Sequence, residues 1–87
     1  MANMFAKLIS TRLNEVNGWL DTASDNHHDA GTREWAINAA SEEMAKVIDD
    51  LTVLKSATRL EVFDLVGMKV AEEYKKTRER LREFLGK

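Results

Sequence analysis

From Leu60 to Phe84, the residues Leu60, Phe63, Gly67, Val70, Tyr74, Thr77, Leu81 and Phe84 follow one another at alternating steps of three and four. That is a heptad, the period at which one helix face stays against a neighbour over several turns. It predicts a long helix over about 58–85. Thr58-Arg59-Leu60-Glu61 fits a capping box at its start, with the Thr hydroxyl and the Glu carboxylate satisfying free backbone amides reciprocally. Because residues 55–57 contain neither proline nor glycine, a kinked but continuous helix is the alternative to a true break there. Gly67 at a seam position lowers helix propensity by about 1 kcal/mol relative to alanine, which predicts a close approach at that point, with Trp19 and Trp35 as the candidate neighbours.

The rest of the chain follows the same logic. There is no proline and only four glycines, which disfavours a turn-rich β fold. Phe5, Leu8, Ile9, Leu13, Val16 and Leu20 recur on one helical face, predicting helix 1 over about 3–23, with Asn3 as a possible cap. Gly18 could end that helix early, but Leu20 and Ala23 continue the stripe, so continuation is the expectation. Residues 24–31 have no apolar period and are crowded with side chains that bond their own backbone, predicting a loop. Helix 2 is expected over about 32–54, capped by Thr32 or Asp29, with a stripe of Trp35, Ile37, Ala40, Met44, Val47, Ile48, Leu51 and Leu54.

These elements predict an all-α fold in one domain over 1–87: a three-helix bundle made of an antiparallel hairpin and a long third helix, assembled as a helical homodimer if the third helix needs cover. Lengths decide where that need arises. At 1.5 Å per residue helix 3 would be about 42 Å long, against about 32–35 Å for the other two, so its last two turns should overhang. Leu81, Phe84 and Leu85 would then be an uncovered apolar patch.

Charge and chemistry narrow the function. Net charge is −2, yet residues 1–68 hold six Lys/Arg against eleven Asp/Glu, whereas residues 69–87 hold seven against four. The basic end invites a nucleic-acid reading. It is weakened because Lys75, Arg78 and Arg82 fall on one flank of the seam and Lys76 with Arg80 on the other, with Glu72, Glu79 and Glu83 between them. Cysteine is absent, which removes disulfides and thiolate chemistry. His27 and His28, flanked by Asp25 and Asp29, are the weak metal candidates; adjacent histidines lack the spacing that puts two ligands on one helix face. Glu61 and Asp64 form one carboxylate pair at i, i+3, but Glu42 and Glu43 have Ala45 and Lys46 three residues on, so no second pair completes a magnesium site. No glycine-rich phosphate loop or nucleophile motif is present.

The expectation is therefore a non-catalytic protein without a cofactor or small-molecule substrate. It should be a protein–protein interaction module of the adaptor or inhibitor kind, including those carried by phages and mobile elements, that binds a protein partner or itself. Tyr74, Arg78, Leu81, Arg82, Phe84 and Leu85 are its candidate contact residues, since aromatic and arginine side chains dominate interface energetics. Nucleic acid is the alternative partner. No segment approaches the ~20 apolar residues that span a bilayer, and a cytoplasmic location is expected.

Overall fold

The computed structural model describes residues 4–86. Asn3 and Lys87 therefore lie outside the described residues. Three helices, α1 (Met4–Ser24), α2 (Ala30–Thr58) and α3 (Val62–Leu85), pack against one another, with no strand among the described residues.

The hairpin forms as its residues dictate. α1 passes through Gly18 without interruption and buries Ile9, Leu13, Val16, Leu20 and Ala23, an i, i+3, i+4 stripe. Asp29 rather than Thr32 starts α2: its carboxylate accepts the Thr32 amide at 2.7 Å, and its backbone is extended. α2 then buries Ala36, Ala40, Met44, Val47 and Leu51. Trp35, expected in that stripe, lies one position off it and is exposed, meeting Trp19 edge-to-face at 4.9 Å. The two helices are antiparallel, since Arg12 pairs with Glu43 and Asp50 while Trp19 meets Trp35.

α2 does not stop near 54. It continues to Thr58 and ends on Arg59 in the left-handed conformation (φ 60°, ψ 19°), whose amide donates to the Lys55 carbonyl at 2.7 Å. The capping box is not formed. Thr58 is still inside α2, with its hydroxyl donating to the Leu54 carbonyl at 2.6 Å and accepting the Leu60 amide at 3.2 Å. Glu61 is the N-cap of α3 and makes no side-chain cap bond.

α3 is broken. Gly67 sits at φ 86°, ψ 164°, a region open essentially to glycine alone, so Val62–Val66 is one helical turn and Met68–Leu85 a separate straight arm. Trp19 and Trp35 play no part in this; a Cβ at Gly67 would meet nothing within 4 Å, and the glycine is present for its backbone angles.

The break overturns the predicted overhang. The arm from Met68 is about 27 Å long, while α2 alone, at about 43 Å, matches the 43 Å long axis of the molecule. α3 runs parallel to α1, because Thr77 meets Asn17 and Arg80 meets Asp21. The last turns of α3 thus lie beside the end of α1 and not beyond it. Val70, Tyr74, Thr77, Leu81 and Phe84 keep their heptad against the core. The turn before Gly67 instead folds Leu65 and Val66 inward.

Candidate functional site

The six candidate contact residues divide sharply. Tyr74 and Leu81 are buried, and Phe84 is half-buried against the core, lining a depression with Ala23, Ala30 and Ile37. Arg78, Arg82 and Leu85 are exposed. The aromatic and aliphatic members thus fill the bundle, because the shortened α3 arm lies alongside its neighbours over its whole length.

Among the basic residues on the same helix, Arg80 is engaged inside the molecule. Its guanidinium donates to the Asp21 carboxylate at 2.6 Å and to the Asn17 side-chain oxygen at 3.0 Å. Asn17 in turn donates to the Thr77 hydroxyl at 2.9 Å and to the Leu13 carbonyl at 3.0 Å. This network ties α3 to α1 and satisfies the buried hydroxyl of the seam residue Thr77.

The His27–His28 loop is organised around Asp25. The carboxylate accepts the His27 amide at 2.9 Å, lies 2.9 Å from His27 Nδ1, and is 3.6 Å from His28 Nε2. Hydrogen bonding from the His27 main chain, then from its ring, holds the Asp25 carboxyl below its ordinary value. Both imidazoles point at this one carboxylate, and no group of three or more metal-ligating side chains is assembled among the described residues. Asp29 is likewise held low, by hydrogen bonding from the Thr32 side chain and then its amide.

The exposed apolar surface lies elsewhere. Of the nine exposed large hydrophobic side chains among the described residues, Met4, Leu8, Val53, Leu60, Phe63 and Met68 belong to the end of the bundle where α1 starts, α2 stops and α3 bends. These six are between 45% and 85% exposed. They are spread over all three helices and the α2–α3 connection, and of the six Phe63 and Met68 share a groove.

The local cause is visible in the chain. Leu60, Val62, Phe63, Leu65, Val66 and Met68 crowd apolar residues onto every side of a short segment, so burying one face must expose another. The kink at Gly67 buries Leu65 and Val66, and turns Phe63 and Met68 outward.

Phe63 and Met68 border a groove of about 670 Å³ between the end of α2 and the start of the α3 arm. Val62, Ala71 and Tyr74 line its apolar part, and Lys55, Glu61, Glu72, Lys75 and Arg78 its rim. Lys55 and Glu61 pair at 3.3 Å. The Arg78 guanidinium lies 5.5 Å from the Tyr74 ring centroid, a cation–π contact that fixes it on the wall. Five of its ten lining residues are charged, so the groove joins an apolar floor to a rim of both signs.

No protein-family model, no curated protein and no solved structure matches this chain. No helix among the described residues is long and apolar enough to cross a membrane. Of the groove residues, the sequence reading selected Tyr74 and Arg78 but missed Phe63 and Met68. Their signal was the all-round apolar run at 60–68, which no single helix face can absorb.

Proposed function

We propose that this chain is a protein-binding module whose contact surface is the bent end of the bundle, centred on Phe63, Met68 and the groove beside them. One observation carries the reading: the exposed Phe63 and Met68 border a groove with an aromatic floor and a charged rim. A buried apolar centre with a polar rim is the usual anatomy of a protein contact. The reading keeps the non-catalytic helical adaptor or inhibitor expected from sequence, and shifts its contact surface from the seam and C-terminal end of α3 to the start of that helix.

Nucleic acid is the less supported partner. Arg80 is held by Asp21 and Asn17, and the remaining cations of the arm are interleaved with Glu72, Glu73, Glu79 and Glu83.

Comparative capture tests this. The protein is immobilised beyond Gly86, the end away from the groove, beside a variant carrying Phe63→Ser and Met68→Ser. Wild type is expected to retain a protein partner after nuclease treatment and at about 200 mM salt, where phosphate-driven binding weakens steeply. The variant is expected to lose it. Equal retention by both, or retention abolished by nuclease, overturns the reading.

A further inference from the structure

We propose that residues 59–67 form a two-state elbow: the start of α3 exchanges between the bent form described above and a straight continuation of the arm, in which Leu60 and Phe63 replace Leu65 and Val66 against the core. The exchange stands on backbone and sequence; its consequence for binding rests on the groove being the docking surface.

The segment carries two incompatible sets of instructions. The bent form uses one: Arg59 in the left-handed conformation, Gly67 at φ 86°, and Leu65 and Val66 buried. The other set is intact and unused. Leu60, Phe63 and Gly67 continue the heptad of Val70, Tyr74 and Thr77 in register, yet Leu60 and Phe63 are 45% and 51% exposed. Thr58 and Glu61 have capping-box spacing, yet Thr58 lies inside α2 and Glu61 makes no side-chain cap bond. Sequences ordinarily agree with their fold at every level, and local conflict of this kind is expected where function competes with stability.

The bundle has a place for the straight form. Along α1, Thr77 meets Asn17 and Arg80 meets Asp21, while from α2 Trp35 meets Trp19 and Glu43 meets Arg12. Carried back along the same lines, a straight α3 brings Phe63 level with Leu51 and Leu60 level with Leu54, the last apolar positions of the α2 stripe. Leu51 belongs to the same core cluster as Leu65 and Val66, so one apolar pair takes over from the other.

Straightening gives up the Lys55–Glu61 ion pair and the Arg59 amide bond to the Lys55 carbonyl. In return it relieves the left-handed arginine, completes the cap and restores helical bonding across residue 67. Losses and gains are alike in kind, which is the condition for two packings of one sequence to exchange. The groove does not survive the change, because Glu61, Val62 and Phe63 line it from the turn and Met68, Ala71 and Tyr74 from the arm. Docking there selects the bent form, and the straight form is its off state.

NMR on isotope-labelled wild type, Gly67→Ala and Arg59→Gly tests the elbow. In wild type, relaxation dispersion is expected in the amides of residues 59–70, with a straight form at about 1–10%. Gly67→Ala penalises the bent form and favours helix, so the straight form should rise about tenfold or more, read as helical Cα shifts at residue 67 and a contact between the Phe63 ring and the Leu51 methyls. Arg59→Gly removes the penalty on the left-handed conformation and should lower the straight form about fivefold or more.

A Gly67→Ala protein that keeps its break at residue 67 overturns the elbow, as does dispersion in Arg59→Gly equal to or above that of wild type. Helix through residue 67 with Phe63 still in solvent overturns the exchange of apolar pairs. Should Gly67→Ala fail to fold, the comparison of Arg59→Gly with wild type decides. In the capture experiment Gly67→Ala should retain less partner than wild type, although Phe63 and Met68 are intact. An elbow seen by NMR together with capture indifferent to F63S/M68S rejects the docking surface alone, whereas capture that needs Phe63 without exchange at 59–70 rejects the elbow alone.

Discussion

The two ends of this bundle are built on opposite principles. At the loop end Asp29 caps α2, Asp25 gathers both histidines, Phe84 closes the gap between the helices, and Asn17, Thr77, Arg80 and Asp21 bond one another. At the bent end a left-handed arginine stops α2, a glycine breaks α3, and the larger share of the exposed apolar side chains projects outward. Polar groups with local partners make an end that is complete in itself. Apolar groups crowded onto every face of a short segment leave some of them in solvent whichever face is buried.

The sharpest way to break that contrast is to truncate one residue at each end. Leu20→Ala, in the fully buried core near the loop end, should lower unfolding free energy by about 2–5 kcal/mol in urea titrations. Phe63→Ser should stay within about 0.5 kcal/mol under dilute conditions. A comparable loss at Phe63 would mean that the bent end is core and not contact surface.

Gly67→Ala comes next. It forces a side chain into angles that only glycine adopts readily, and should destabilise by about 1–3 kcal/mol even though the added methyl meets no neighbour. An unchanged midpoint would show that the kink relaxes into a continuous helix. Asn17→Ala removes the bonds that tie α3 to α1 and should lower stability by about 0.5–1.5 kcal/mol. Gly18→Ala is expected to act in the opposite direction, raising stability by about 0.5–1 kcal/mol, because this helical glycine is exposed and its Cβ would meet nothing within 4 Å.

The smallest effect is acidic. The Asp25 and Asp29 carboxyls both titrate below their ordinary value of 3.8 in the folded protein, so their contribution is present above that pH and is lost as pH falls through the lower folded value. Carboxyl resonances followed by NMR should show both midpoints below 3.8. Amide exchange over the first turn of α2 should rise in the same interval. A normal Asp29 midpoint would remove the cap from the account of the loop end.

The loop end was the more legible in sequence. The α1 stripe, the loop and the Asp29 cap are each declared by local chemistry within a few residues. The seam from Val70 to Phe84 was legible too, as a heptad, although its members turned out to fill the bundle. The bent end was hidden for a physical reason. The capping-box pattern at 58–61 marked a boundary but not its form, since Arg59 adopts the left-handed conformation that ordinarily calls for glycine or asparagine. The heptad also runs through Gly67 in perfect register, so periodicity alone predicts one straight helix and, from its length, an overhang that does not exist. Gly67 was the signal, as a point of broken backbone and not of close approach.

Parallel α1 and α3 also decide how this protein can be joined to anything else. The described chain enters at the bent end with Met4 and leaves at the loop end with Gly86, at opposite poles of a 43 Å rod. A label or fused domain placed before Met4 would crowd Leu8, Phe63 and Met68, whereas one placed after Gly86 leaves them open.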